Sequence, residues 1–230
     1  MARLPRLAVP GHLHLLSQRG HRGACVFRGD EDFALYVEAL RFAATEQLVA
    51  VHAYALTDDA VFLLVTPTVA SSLSRMLQSI GRRFGAEINR RRGVTGSLWE
   101  GRFRCAVVDP THLMDCVRFV ESAPLTAESS ADPAAYRWSS AAHHAGRRLD
   151  PAVTDHPLYW QIGNTPFERE ARHRALVQEP LPPTLASNIA EAVQRSKVLG
   201  PPEFVAAVGT LAGRSLTGRP RGRPRKELDR

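Results

Sequence analysis

The spacing of apolar residues along this chain changes repeatedly, and each change marks an element. Residues 11–18 read as a first strand. From Asp30 onward, Phe33, Tyr36, Val37, Leu40 and Ala44 recur at intervals of three and four, which predicts a helix with one buried stripe. Asp30 is its expected cap, with Glu31 and Asp32 favouring the positive end of the helix dipole. Two strands follow over 49–56 and 60–66, joined through Thr57-Asp58-Asp59, a turn-forming composition. A second helix runs from Ser71 to Arg92 on a stripe of Leu73, Leu77, Ile80, Phe84 and Ile88, and residues 103–108 form a short apolar strand. Asp109-Pro110 opens a third helix, with Asp as cap and Pro at the first helical position, and Pro124 ends it. The order β-α-β-β-α-β-α predicts an α+β fold, a ferredoxin-like antiparallel sheet with helices on one face. Beyond residue 165, Pro180, Pro182 and Pro183 mark a linker, and helices over 184–199 and 201–212 form a small appendage.

Composition narrows the picture. A chain of 230 residues with 44% hydrophobic content can bury one substantial core and fits a globular protein. It shows no apolar run of the roughly 18–20 residues that span a bilayer, and no signal peptide. A membrane partner is therefore not expected, and the expected location is the cytoplasm, with nucleoid association. Cys25, Cys105 and Cys116 lack zinc-ligand spacing and read as reduced thiols. The net charge of +7 is uneven. Residues 214–230 carry seven basic side chains against Glu227 and Asp229, so the tail holds +5 and the other 213 residues only +2. Rich in Arg, Gly and Pro, residues 213–230 are expected to be disordered when unbound. Within them Arg221-Gly222-Arg223-Pro224 looks like an AT-hook core. Proline keeps such a segment extended, and arginines enter the narrow minor groove of A·T tracts. Arg219, Arg221, Arg223, Arg225 and Lys226 are the tail's DNA-binding candidates.

Several motifs carry a family resemblance. Gly96-Ser97-Leu98-Trp99-Glu100-Gly101-Arg102-Phe103 is the most specific; Asp132-Pro133, Tyr136 and Trp138-Ser139-Ser140 follow, then His156-Pro157-Leu158-Tyr159. With the opening Arg3-Leu4-Pro5-Arg6-Leu7, they resemble, in order and spacing, the REP-associated tyrosine transposases, single-tyrosine members of the HUH superfamily. The resemblance implies a DNA-handling domain over residues 1–165, followed by the linker and appendage (166–212) and the basic tail (213–230). It also implies a site. Family members hold Mg²⁺ or Mn²⁺ with two histidines that fall where this chain has Ala60 and Phe62. Their nucleophilic tyrosine falls at Phe119. A methyl and a phenyl group cannot ligate a hard cation, and a phenyl group has no hydroxyl with which to attack phosphate. No catalytic residue, metal ligand or cofactor is therefore expected to function here. Arg118 and Glu121 still match the family, whereas Ala123 replaces a common asparagine.

The expected partner is DNA, single-stranded or hairpin, with A·T-rich duplex as a further target of the tail. On the second helix Arg75, Arg82, Arg83 and Arg90 lie opposite or beside the apolar stripe and suit phosphate contact. Arg102 and Arg104 extend that surface, and Trp99 and Phe103 are candidate platforms for stacking on bases. By resemblance, Arg6, Arg19 and Arg22 read a guide sequence beside the hairpin. Two other readings stay open: an active nicking and joining enzyme that uses Asp58 or Asp59 and an unexpected tyrosine, and a protein-interaction module without a nucleic-acid role in its folded body. His12, His14, His143 and His144 are expected as strand-surface and loop histidines. The sequence does not choose between DNA and RNA or between monomer and dimer.

Overall fold

The computed structural model describes residues 6–125 and 132–216. Strands β1 (Leu13–Arg19), β2 (Val49–Leu56), β3 (Ala60–Pro67) and β4 (Arg104–Val108) alternate with helices α1 (Asp30–Glu46) and α2 (Ser72–Arg92) in the expected order. Their antiparallel arrangement, β2-β3-β1-β4, is ferredoxin-like. Further along lie α3 (Leu113–Glu121), α4 (Ala141–His144), α5 (Pro166–Gln178), α6 (Pro183–Gln194), β5 (Val198–Leu199) and α7 (Pro202–Leu211).

Helices α1 and α2 cover one face of the sheet. Their stripes meet Leu16, Val51, Tyr54, Leu63, Val65 and Cys105. The opposite face, which the sequence left open, carries Leu13, Leu15, Ala53, Ala55, Leu64, Ala106 and Val108. It is covered by Leu113, Cys116, Val117 and Val120 of α3 and by Ile189, Ala192 and Val193 of α6. A bulge at His52 lets Val51 face the first core and Ala53 the second, although the two are an even spacing apart.

Several local expectations need correction. Asp30 begins α1 instead of capping it; Gly29 is the cap, because the Asp30 carboxylate accepts from Trp138 Nε1 at 3.2 Å and Arg137 at 3.1 Å. Asp109 caps a 3-10 turn, Pro110–His112, accepting from the Thr111 N–H at 2.9 Å; helix α3 itself starts at Leu113, three residues later than expected, and ends at Glu121, three residues before Pro124. The C-terminal helices dock onto the sheet. Residues 198–199, expected as helix, form a fifth strand parallel to Val107–Val108, and the Asp109 N–H donates to Leu199 O at 2.7 Å.

The end of β1 depends on a close approach. Gly20 bridges Trp99 and donates its N–H to Asp59 O at 2.7 Å. A Cβ there would lie 2.1 Å from Ala24 O, a backbone atom that cannot step aside. Gly20→Ala is expected to cost about 1–3 kcal/mol, as overpacking does. A urea midpoint equal to wild type would contradict this.

Candidate nucleic-acid interface

Strand β3 places Ala60 and Phe62 on the sheet face covered by α3, since Leu64, two residues on, belongs to that core. Phe119 projects from α3 onto the same place. Its ring meets that of Phe62 edge to face, with centroids 6.2 Å apart and planes at 85°. The three positions singled out by the resemblance thus belong to one locus, where two phenyl rings and a methyl group sit. Asp59 accepts from the Thr57 hydroxyl at 3.1 Å, and Asp58 is exposed.

The tyrosines are committed elsewhere. Tyr54 Oη donates to Asp150 at 2.6 Å, Tyr136 Oη to Leu56 O at 2.6 Å, and Tyr159 Oη to His144 O at 3.0 Å, while Tyr36 lies wholly inside the first core. Burial pushes all four phenols up, Tyr136 to about 12. That disfavours the phenolate a nucleophile needs.

A charged surface adjoins this locus. Arg104, Ser17, Phe62 and Ala55 pair in register across four strands, and alternation sets them on one sheet face. Arg104 is therefore two strands, roughly 10 Å, from Phe62. It lines a cleft of about 630 Å³ with Arg6, Arg102, Glu100, Arg195, Ser196 and Arg214. Arg6 Nε donates to Phe103 O at 3.0 Å. Burial lowers the Arg6 pKa, and so do the neighbouring Arg102 and Arg104, only partly offset by Cys105. An anion in the cleft relieves that repulsion. The turn after α6 closes one side: Cys105 N–H reaches Ser196 Oγ at 3.5 Å. Arg195 and Arg214 were not legible in the sequence because only docking of the C-terminal elements brings them beside β4: Arg195 follows α6, and Arg214 follows α7, whose Val208 packs with Val107.

Two stacking candidates are corrected. Trp99 is 7% exposed, enclosed by Phe27, Tyr36 and Phe84 at centroid distances of 6.1–6.4 Å. Phe103 is 8% exposed, and the Arg6 guanidinium covers its ring at 3.9 Å. Neither offers a face to a base. The helix α2 arginines divide. Arg75 and Arg82 are exposed, whereas Arg83 lies 3.6 Å above the Phe42 ring and Arg90 pairs with Glu87 at 2.7 Å. Arg19 and Arg22 are exposed at the end of β1, where the Arg19 carbonyl accepts from the N–H of Glu100, a residue of the cleft wall, at 2.8 Å. The tail candidates Arg219, Arg221, Arg223, Arg225 and Lys226 lie outside the described residues.

No protein-family model matches the chain, and no curated protein does. A solved structure does: a REP-associated tyrosine transposase bound to a REP hairpin, 13% identical, with a TM-score of 0.53 over 68% of this chain and 96% of that one. The chain has the fold of a REP-associated tyrosine transposase. A candidate transposase from Deinococcus radiodurans also aligns, 18% identical over 55% of this chain and all of that one, at a TM-score of 0.37 too low to argue from.

On this transposase fold, the neighbours of Phe119 turn inward. Arg118 donates to Glu179 O at 2.7 Å, tying the end of α5 to α3. Glu121 is fully buried and accepts from Ser140 Oγ at 2.6 Å, His144 Nδ1 at 2.6 Å and His173 Nε2 at 2.8 Å. Burial opposes its ionisation, but the two imidazoles outweigh that and hold its carboxyl well below the ordinary range. His14 and His144 are buried, not surface or loop histidines. His144 is held by Glu121 of α3, and His14 by the His12 carbonyl and the Val9 N–H just before β1.

Proposed function

We propose that this protein is a DNA-binding member of the REP-associated tyrosine transposases that has lost metal-dependent phosphotyrosyl cleavage. The observation that carries the proposal is the Phe62–Phe119 ring contact beside Ala60. The cutting locus is assembled but holds no ligand atom and no hydroxyl. The basic cleft two strands away supplies what is left, a phosphate-binding surface. That the transposase of the same fold is bound to a REP hairpin supports a hairpin with a single-stranded flank as the ligand. The tail then adds sequence-independent affinity and a preference for A·T-rich duplex.

The test measures fluorescence anisotropy of three labelled DNAs: a flanked hairpin, an unstructured strand and a duplex. The full chain is compared with one ending at Leu216. The shorter chain is expected to favour the flanked hairpin by about tenfold, roughly 1.4 kcal/mol. Equal and negligible binding to all three would reduce the folded body to a scaffold for the tail. With Mn²⁺ present, no covalent protein–DNA band is expected. A band abolished by mutating one tyrosine would establish the rival reading, an active enzyme.

A further inference from the structure

Glu121, His144 and His173 come from three helices and are separated by 23 and 29 residues, yet their ligating atoms lie within 4.8 Å of one another. All three side chains are buried. We propose that they form a zinc site that clamps α4 and α5 to α3 beneath the Phe119 position. The site is separate from the Ala60–Phe62 locus, because Phe119 faces Phe62 whereas Glu121, two residues on, faces α4 and α5.

Four observations support the assignment. Two imidazoles and one carboxylate are a zinc donor set, and imidazole nitrogen argues against magnesium or calcium. His144 is flanked by a second carboxylate, with Asp155 Oδ1 3.8 Å from its Nε2. That oxygen is buried and makes no well-formed hydrogen bond, although His143 Nε2 is 3.4 Å away. It is the acceptor that a histidine with metal on Nδ1 uses for its other N–H. Charge also balances, since Glu121 and Asp155 together neutralise a divalent ion in a buried setting. Finally, a cavity of about 280 Å³ lined by His143, His144, Asp155, Tyr159 and Glu170 opens on the Asp155 side of His144, giving an approach to the site; Arg148 and Arg169 also reach its wall.

The present spacings of 2.6 and 2.8 Å are hydrogen-bond lengths. Ligand atoms about a tetrahedral zinc stand roughly 3.3 Å apart, given bonds of about 2.0–2.1 Å. The two bonds run to different oxygens, His144 to Oε1 and His173 to Oε2, so loading requires one Glu121 oxygen to turn toward the metal and both rings to shift with it. Zinc takes the lone pairs of His144 Nδ1 and His173 Nε2, and each ring's proton moves to its other nitrogen. For His144 that proton sits on Nε2, 3.8 Å from Asp155 Oδ1, and a small turn of either side chain closes the hydrogen bond. His173 Nδ1, which takes the other proton, is buried without a hydrogen-bond partner in the present arrangement.

The experiment loads the full chain with Zn²⁺, desalts it and measures bound metal, then repeats with Co²⁺ to read the visible absorption of four-coordinate cobalt. One metal per chain and the cobalt spectrum are expected. His173→Gln keeps an N–H for Glu121 but is a poor zinc ligand, so it should lose both signals, and His173→Cys should restore them. If His173→Gln does not fold, Asp155→Asn carries the test, with zinc affinity expected to fall about 10- to 100-fold. A wild-type chain that retains no zinc would overturn the proposal. So would a folded His173→Gln that binds like wild type, or an unchanged Asp155→Asn. The cluster would then be a hydrogen-bonded staple.

Discussion

Lowering the pH from 7 to 4.5 is expected to remove several kcal/mol of stability, chiefly through His14. Burial, partly offset by the bond to His12 O, lowers His14 from 6.5 to about 4. Burial likewise lowers His52 to about 4, against its bond to Thr154 O and with His156 assisting. The sign follows from linkage. Above pH 6.5 both states are neutral and the groups contribute nothing. Below it the unfolded chain takes up protons that the folded chain refuses, so stability falls until the pH reaches the folded value. A shift from 6.5 to about 4 corresponds to about 3 kcal/mol per histidine. Two such terms are of the order of a domain's whole stability, about 5–15 kcal/mol.

The two rings are not equivalent. His14 Nδ1 faces His12 O at 2.7 Å, and its Nε2 accepts from the Val9 N–H at 3.1 Å. A proton on Nε2 would set N–H against N–H, and a backbone donor cannot reverse. His52 Nε2 faces the Thr66 hydroxyl at 2.9 Å, which can turn from donor to acceptor. His14 is therefore expected to carry the larger share. The check is urea unfolding between pH 7.5 and 4.5, with a chelator present so that metal release adds nothing. His14→Gln should start less stable but lose less on acidification. A slope identical to wild type would refute the assignment. Carboxylates such as Glu121 and Asp155, whose folded values are depressed, lose their contribution only below about pH 4.5, outside most of this window.

What the sequence made legible was local. Period and turn chemistry located β1 to β4, α1, α2 and the capped turn that leads into α3, because each signal is written within one element. The stripe Leu113, Cys116, Val117 and Val120 also put Phe119 on the flank of α3, and its ring emerges there, half-buried against Phe62. Contacts made between elements stayed hidden. Helix α5 buries only His173 and Val177, so no apolar stripe announced it. The parallel strand β5 is two residues long, too short for any periodic signal. Trp99 and Phe103 have the composition of a stacking surface, and only the positions of Phe84 and Arg6 show that their faces are taken. Glu121 read only as a family match beside Phe119, because its partners lie 23 and 52 residues downstream.

Those same contacts decide where DNA affinity should reside. Reversing Arg102 and Arg104 together to Glu is expected to weaken hairpin binding of the chain ending at Leu216 by about 10- to 100-fold, as loss of two charge-assisted phosphate contacts implies. Both are exposed at the mouth of the cleft, beside a third guanidinium, on Arg6, whose proton affinity they already depress. Arg104 also shares a sheet face and a register row with Phe62. Reversal of Arg75 and Arg82 is the control. It changes net charge equally, on an α2 surface that covers the other face of the sheet. A general electrostatic effect would weaken binding equally in both variants. A built site predicts a small loss, no more than about threefold, in the control, as for rim charges. The salt dependence separates the two further. Each lost single-strand phosphate contact should flatten the slope of log K against log salt by about 0.7. The cleft variant is therefore expected to lose about 1.4 from its slope and the control little. Equal slopes in the two variants would move the interface off the cleft and leave Arg6, Arg102 and Arg104 as solvated surface charge.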